Sequence, residues 1–141
     1  MSHEASRILL VDDYADAIEM WALYLRLQGY EVLTSNDGLA AVEAAIAERP
    51  DLVVLDLDLP GISGIEAARR IRQSPETSSI PLIAVTGHSN AKKLDEAHQA
   101  GFDRILIKPC EPSALVEQLE RILQKAKPNF VPPGKEDARS E

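Results

Sequence analysis

Four apolar runs in this 141-residue chain stop at residues able to do chemistry: Asp12-Asp13, Asp56, Thr86 and Lys108. Three carboxylates brought into one crevice repel one another and call for a cation. Lys108 supplies a single positive charge, so the set asks for a hard divalent ion with oxygen ligands. Mg²⁺, which keeps several waters and takes one or two carboxylates, fits it, with Mn²⁺ as the alternative. A carboxylate beside such an ion, a lysine and a hydroxyl is what phosphoryl transfer to an aspartate requires. Asp56 reads as the nucleophile, and Lys108, the Thr86 hydroxyl and the ion as the groups that stabilise the transferred oxygens. The chain has no Gly-x-x-x-x-Gly-Lys-Ser/Thr loop and no Gly-x-Gly-x-x-Gly, so the donor is expected to be a phosphorylated protein or a small phosphodonor rather than bound ATP.

The elements that must position these groups are short and regular. Arg7–Val11, Asp51–Asp56, Ile80–Val85 and Arg104–Ile107 lack the in/out alternation of half-exposed strands and read as strands covered on both faces; Glu31–Ser35 is a fifth. Helical spacing predicts helices over Tyr14–Gln28 (with Ala17, Met20, Trp21, Tyr24 and Leu27 at steps of three and four), from Gly38 to about Glu48, from Ser63, from about Asn90 to Ala100, and from Ser113 to about Lys125. Asp13 is a candidate cap for the first helix and Ser63 for the third. Arg69, Arg70 and Arg72 read as a solvated face. Regular strand-then-helix alternation implies right-handed crossovers and a doubly wound α/β fold, a five-stranded parallel sheet of flavodoxin-like order 2-1-3-4-5. Ligands bind such sheets outside the carboxyl ends of the strands, which is where all four groups would lie.

A net charge of -8 argues against binding nucleic acid or anionic membrane, since both need clustered Lys and Arg. One cysteine, Cys110, excludes an intrachain disulfide, and no membrane-length apolar stretch or signal-like N-terminus is present. A cytoplasmic protein is expected, with residues 1–6 as an extension, 7–125 as one domain and 126–141 as a disordered tail.

The segments Ile8-Leu-Leu-Val-Asp-Asp13, Val53-Val-Leu-Asp-Leu-Asp-Leu-Pro-Gly-Ile-Ser-Gly64, Ile83-Ala-Val-Thr-Gly87 and Ala100-Gly-Phe-Asp103 leading to Ile107-Lys-Pro109 together resemble the receiver domain of two-component response regulators. The resemblance implies that Asp56 accepts a phosphoryl group from a histidine kinase or histidine phosphotransfer protein. It implies that Asp13 ligates Mg²⁺ directly and Asp12 through water, with Asp56 and the Asp58 backbone carbonyl completing the protein ligands. It also implies a cis Lys108-Pro109 bond. With no output domain after Lys125, the chain reads as a stand-alone, monomeric switch that signals by docking to an unknown downstream target.

Several positions depart from the usual family pattern. Ile105 stands where an aromatic switch residue is common, and Cys110 where Phe is frequent, the latter read as a packing change. Asp58 and His88, two residues after the phosphoacceptor and the threonine, flank the path of the hydrolytic water in this family and are expected to set the phosphate lifetime. The excess apolar surface of the first helix makes Tyr14, Ala15, Ile18 and Ala22 the expected contact for the kinase or phosphotransfer partner. Two alternatives stand beside this reading. One is a haloacid-dehalogenase-like phosphohydrolase, because Asp56-Leu-Asp58 imitates its Asp-x-Asp pair, although the order of motifs differs; the other is a binding module that works without phosphorylation.

Overall fold

The structure, a computed structural model, describes residues 5–87 and 90–133. Five strands, β1 (Arg7–Val11), β2 (Glu31–Ser35), β3 (Leu52–Asp56), β4 (Leu82–Thr86) and β5 (Arg104–Ile107), alternate with helices α1 (Ala15–Leu27), α2 (Gly38–Glu48), α3 (Gly64–Gln73), α4 (Ala91–Ala100) and α5 (Pro112–Ala126). All pairings are parallel and the sheet order is β2-β1-β3-β4-β5, as expected from the alternation. β4 begins two residues later than Ile80, and α5 begins at Pro112, whose fixed φ and missing N–H suit a first helical turn. Among the described residues no helix is long and apolar enough to cross a membrane.

Two cores lie on the two faces of the sheet because successive strand side chains point to opposite sides. Leu9, Val11, Val53, Leu55, Leu82 and Ala84 pack beneath α2, α3 and α4. Ile8, Leu10, Leu52, Val54, Ile83 and Val85 pack beneath α1 and α5, against Leu25, Leu115, Leu119 and Leu123. β3 and β4 are buried along their whole length, which is why their sequences show no polar alternation. Each large side chain taken fully out of water contributes about 1.5–3 kcal/mol, so these two layers dominate the stability of the domain.

The structure corrects several expectations. Asp13 does not cap α1: the N-cap residue is Tyr14, with no side-chain cap, and its N–H donates to Asp12 Oδ1 at 2.9 Å. The face α1 buries is carried by Ala22 and Leu25, with Ile18, Trp21 and Tyr24 half-buried, whereas Met20 and Leu27 of the predicted spacing point to solvent. Arg72 is not part of a solvated face. Its guanidinium donates to the carbonyls of Gly101, Ile80 and Ser78, and so pins the end of α4 to the loop after α3. Arg69 and Arg70 do lie on an exposed face, paired with Glu66. The segment 127–133, expected as the start of a disordered tail, lies against the body instead. Phe130 packs on the α1/α5 core, Lys127 Nζ bonds Asp51 Oδ1, and the Pro133 ring sits where a Cβ on Gly29 would fall, at 2.6 Å.

Candidate functional site

Register brings the chemistry together. Val11 is level with Leu55 and Asp56 with Val85, while Thr86 is level with Ile107, so the residues that follow each strand meet at one edge. Lys108 continues this pattern, its amide donating to the Thr86 carbonyl at 2.7 Å, and the next peptide bond, Lys108-Pro109, is cis.

Asp56 is 4% exposed, yet both its carboxylate oxygens are held. Oδ2 accepts from Lys108 Nζ at 2.8 Å and Oδ1 from the Asp58 amide at 2.8 Å. Lys108 Nζ also lies 3.4 Å from Asp12 Oδ2, the oxygen left over once Oδ1 has taken the Tyr14 amide. Asp12, Asp13 and Asp56 each offer a carboxylate oxygen within 4.8 Å of the others. Burial pushes the Asp56 carboxyl above the usual carboxylate range, against the pull of Lys108 and of the Asp58 amide, and the neighbouring Asp12 adds to the rise. Partial burial pulls Lys108 down, but its bond to Asp56 and the charges of Asp56 and Asp12 outweigh it and hold the ammonium above the ordinary lysine range. Such a pocket carries more negative charge than its single lysine relieves. Its all-oxygen donor set therefore fits a hard divalent cation, with Asp12, Asp13 and Asp56 as the side chains that would hold it.

The close approach of α3 depends on Gly64. A Cβ there would stand 2.2 Å from the Asp56 carbonyl oxygen and 2.7 Å from Leu57 Cα, so no other residue lets the helix start directly behind the acceptor. Ser63 caps this helix as expected, accepting from the Glu66 amide at 3.1 Å.

Thr86 is fully buried at the end of β4. Ile105 is half-buried and packs on the core beneath α2, α3 and α4, while His88 lies outside the described residues. Of the expected docking residues, Tyr14 and Ala15 are exposed and Ile18 is half-buried, but Ala22 is 2% exposed and part of the core. That assignment is corrected: a small residue one turn beyond Ile18 faces the sheet, and the apolar surface α1 presents to solvent is Met20, Leu23 and Leu27. A cleft of about 510 Å³ opens from Asp56 between α1 and the residues after β5, lined by Tyr14, Ile18, Trp21 and Cys110 among others. Burial pushes the Cys110 thiol up, which suits packing rather than reactivity.

One residue at the site had no sequence signal. Lys93, in the first turn of α4, reaches across to Asp58, its Nζ 3.0 Å from Oδ1. A lysine on a polar helix looks like any solvated residue, and only the packing of α4 beside the loop after β3 makes the pair visible.

Residues 8–120 match the family model described as the response regulator receiver domain. Over 121 residues, 86% of this chain, it is 37% identical to the phosphate regulon transcriptional regulatory protein PhoB of Pseudomonas aeruginosa, and it spans about half the length of that relative, 53%. Among solved structures it is similar to the chemotaxis protein CheY4 of Vibrio cholerae, with TM-score 0.80 and 29% identity over 84% of this chain and 98% of that one. It is also similar to the receiver domain of the sensor histidine kinase PA1611 of Pseudomonas aeruginosa, with TM-score 0.75 and 33% identity over 86% and 97% of the two chains; that structure is described with a magnesium ion coordinated in its active-site cleft.

Proposed function

The chain belongs to the response regulator receiver domain family of two-component signalling, and from that membership we propose that Asp56 accepts a phosphoryl group from a phosphohistidine on a histidine kinase or phosphotransfer protein. The observation that supports this most directly is the state of Asp56: a buried carboxylate held between one ammonium and one backbone amide, beside two more acids. A purely structural acidic cluster would be neutralised by its partners, whereas here one lysine faces three carboxylates.

In this reading an Asp56 oxygen attacks phosphorus as the P–N bond to the donor imidazole breaks, and the donor leaves as neutral histidine after taking a proton. Lys108, already at hydrogen-bond distance, follows the charge onto the phosphoryl oxygens, and the Thr86 hydroxyl turns to bond another of them. Asp12, Asp13, Asp56 and the Asp58 carbonyl would hold Mg²⁺, which when bound would supply the positive charge that lets a phosphoryl dianion approach three carboxylates. Asp58 and His88 set how long the phosphoryl group persists. With the aliphatic Ile105 packed in the core, readout runs through the loops around Asp56 and ends in docking to a downstream target in the cytoplasm. Tyr14, Ala15 and Ile18 meet the phosphodonor partner, next to the site.

Intact mass after incubation with acetyl phosphate and Mg²⁺ tests the reading. The expected result is a single phosphoryl adduct on the wild type, absent with EDTA and absent in Asp56→Asn. If the wild type forms no adduct and binds no beryllofluoride, the phosphorylation reading is wrong.

A further inference from the structure

Helix α1 turns Ala22 and Leu25 toward the sheet. At 3.6 residues per turn, Met20, Leu23 and Leu27 then share one narrow stripe on the opposite side. They are 55%, 58% and 74% exposed. The spacing i, i+3, i+7 is the seam by which one helix packs on another, and on a surface helix it ordinarily faces the core. Because α1 meets its own core through other residues, this seam is a second one. Leu39 and Ile46 on α2 are also exposed, but Val42 between them is half-buried in the core. The α1 stripe is flanked on one side by Glu19 and Arg26, both exposed. Among the described residues neither takes part in a salt bridge. Residues 134–141, Gly-Lys-Glu-Asp-Ala-Arg-Ser-Glu, offer no large apolar side chain to cover the stripe.

We propose that this stripe is a self-association face, on which two copies pack α1 against α1 in antiparallel sense about a two-fold axis passing close to Leu23. A two-fold interface uses one patch twice, so a second copy brings the matching seam with it. The charges select the antiparallel sense. Glu19 and Arg26 lie seven residues apart on the same flank, and reversing the partner helix about a point between Ala22 and Leu23 sets Glu19 of each copy opposite Arg26 of the other. A parallel pairing would turn the two flanks to opposite sides of the seam and leave both charges unmatched. The contact is small. A helix of 13 residues is about 20 Å long, and laid on its copy it buries less than the roughly 1,000 Å² of a firm complex, so the dimer is a weak one with Kd about 100 µM. A monomer is expected from the sequence alone, and the exposed seam is the reason to revise it.

Sedimentation velocity of the full chain between about 10 µM and about 1 mM tests the proposal. The wild type is expected to pass from monomer to dimer across that range. Leu23→Glu, which sets two carboxylates against each other at the axis, is expected to weaken association roughly tenfold or more. Because Leu23 is exposed, that variant should keep its circular dichroism and its reaction with acetyl phosphate. Glu19→Arg and Arg26→Glu each put like charges across the seam and are expected to weaken association about threefold. A 1:1 mixture of the two restores both opposite pairs and should regain wild-type association. A chain that stays monomeric throughout overturns the inference and leaves the stripe to a helix of another protein. Dimerisation that Leu23→Glu does not weaken puts the contact on another face and overturns it too, as do single variants whose mixture fails to recover. None of these readouts passes through Asp56, so failure of the phosphorylation reading is separate.

Discussion

At the amino-terminal edge of the sheet, three acids share two cations. Asp51 accepts the Arg7 amide at 2.8 Å and the Lys127 ammonium, Glu48 takes the Arg7 guanidinium through both its carbonyl and its carboxylate at 2.7 Å, and Glu31 lies 3.5 Å from the same guanidinium. At the carboxyl edge, Asp12, Asp13 and Asp56 also cluster, but one lysine serves them and the central acid is buried. The first cluster is closed: its donors and acceptors are spent on tying β1, β3, α2 and the segment after α5 together. The second is left with a surplus of negative charge around an acid that water barely reaches. A surplus that folding leaves unresolved is stored for a ligand, and that difference, rather than the number of acids, distinguishes a site from a strut.

The comparison is broken most decisively at Lys108. Lys108→Met should slow phosphorylation by acetyl phosphate by about a hundredfold, the scale for losing one stabiliser of developing charge. It should at the same time tighten Mg²⁺ binding, followed through the fluorescence of Trp21 in the adjacent cleft, because three carboxylates then have no cation of their own. Weaker Mg²⁺ binding would mean that the lysine builds the metal site rather than competing with it.

A smaller effect is expected at the opposite edge. Asp51→Ala leaves the Arg7 amide without its acceptor and should cost about 1–2 kcal/mol in urea unfolding, with little more from the exposed Lys127 pair. Its rate of phosphorylation should match wild type. Loss of phosphorylation in a folded Asp51→Ala protein would erase the distinction between the two edges.

The smallest effect sharpens the comparison through pH. Asp56 has a folded pKa above its unfolded value, so its contribution to stability is present below the unfolded pKa and is lost as pH rises through the folded one. In EDTA at neutral pH, Asp56→Asn should therefore unfold at higher urea than wild type, and the gap should close as pH falls into the carboxylate range. A gap that does not move with pH would show that the substitution acts through packing and not through charge.

Much of this molecule was legible in one dimension. Unalternating apolar strands, caps such as Ser63 and stops such as Gly101 (φ +105°) are local features, and they specify the order of elements and hence the edge where Asp12, Asp13, Asp56, Thr86 and Lys108 converge. Asp13 failed as a helix cap because the helix begins one residue later, with Tyr14 at the N-cap and its amide held by Asp12 Oδ1, a shift of one position that propensity does not rank.

The sequence by itself determined the sheet, its two cores and the identity of the acids, because each depends on spacing within a few residues. Tertiary structure decided what could not be read along the chain. It set the side of α1 that is buried, and so put Ala22 inside and Leu23 outside. It folded Phe130 back onto the α1/α5 core, made Arg72 a tie between α3 and α4, and placed Lys93 against an aspartate 35 residues away. Each of those outcomes turns on how one element is rotated against another, a matter of packing between distant residues that no local pattern encodes.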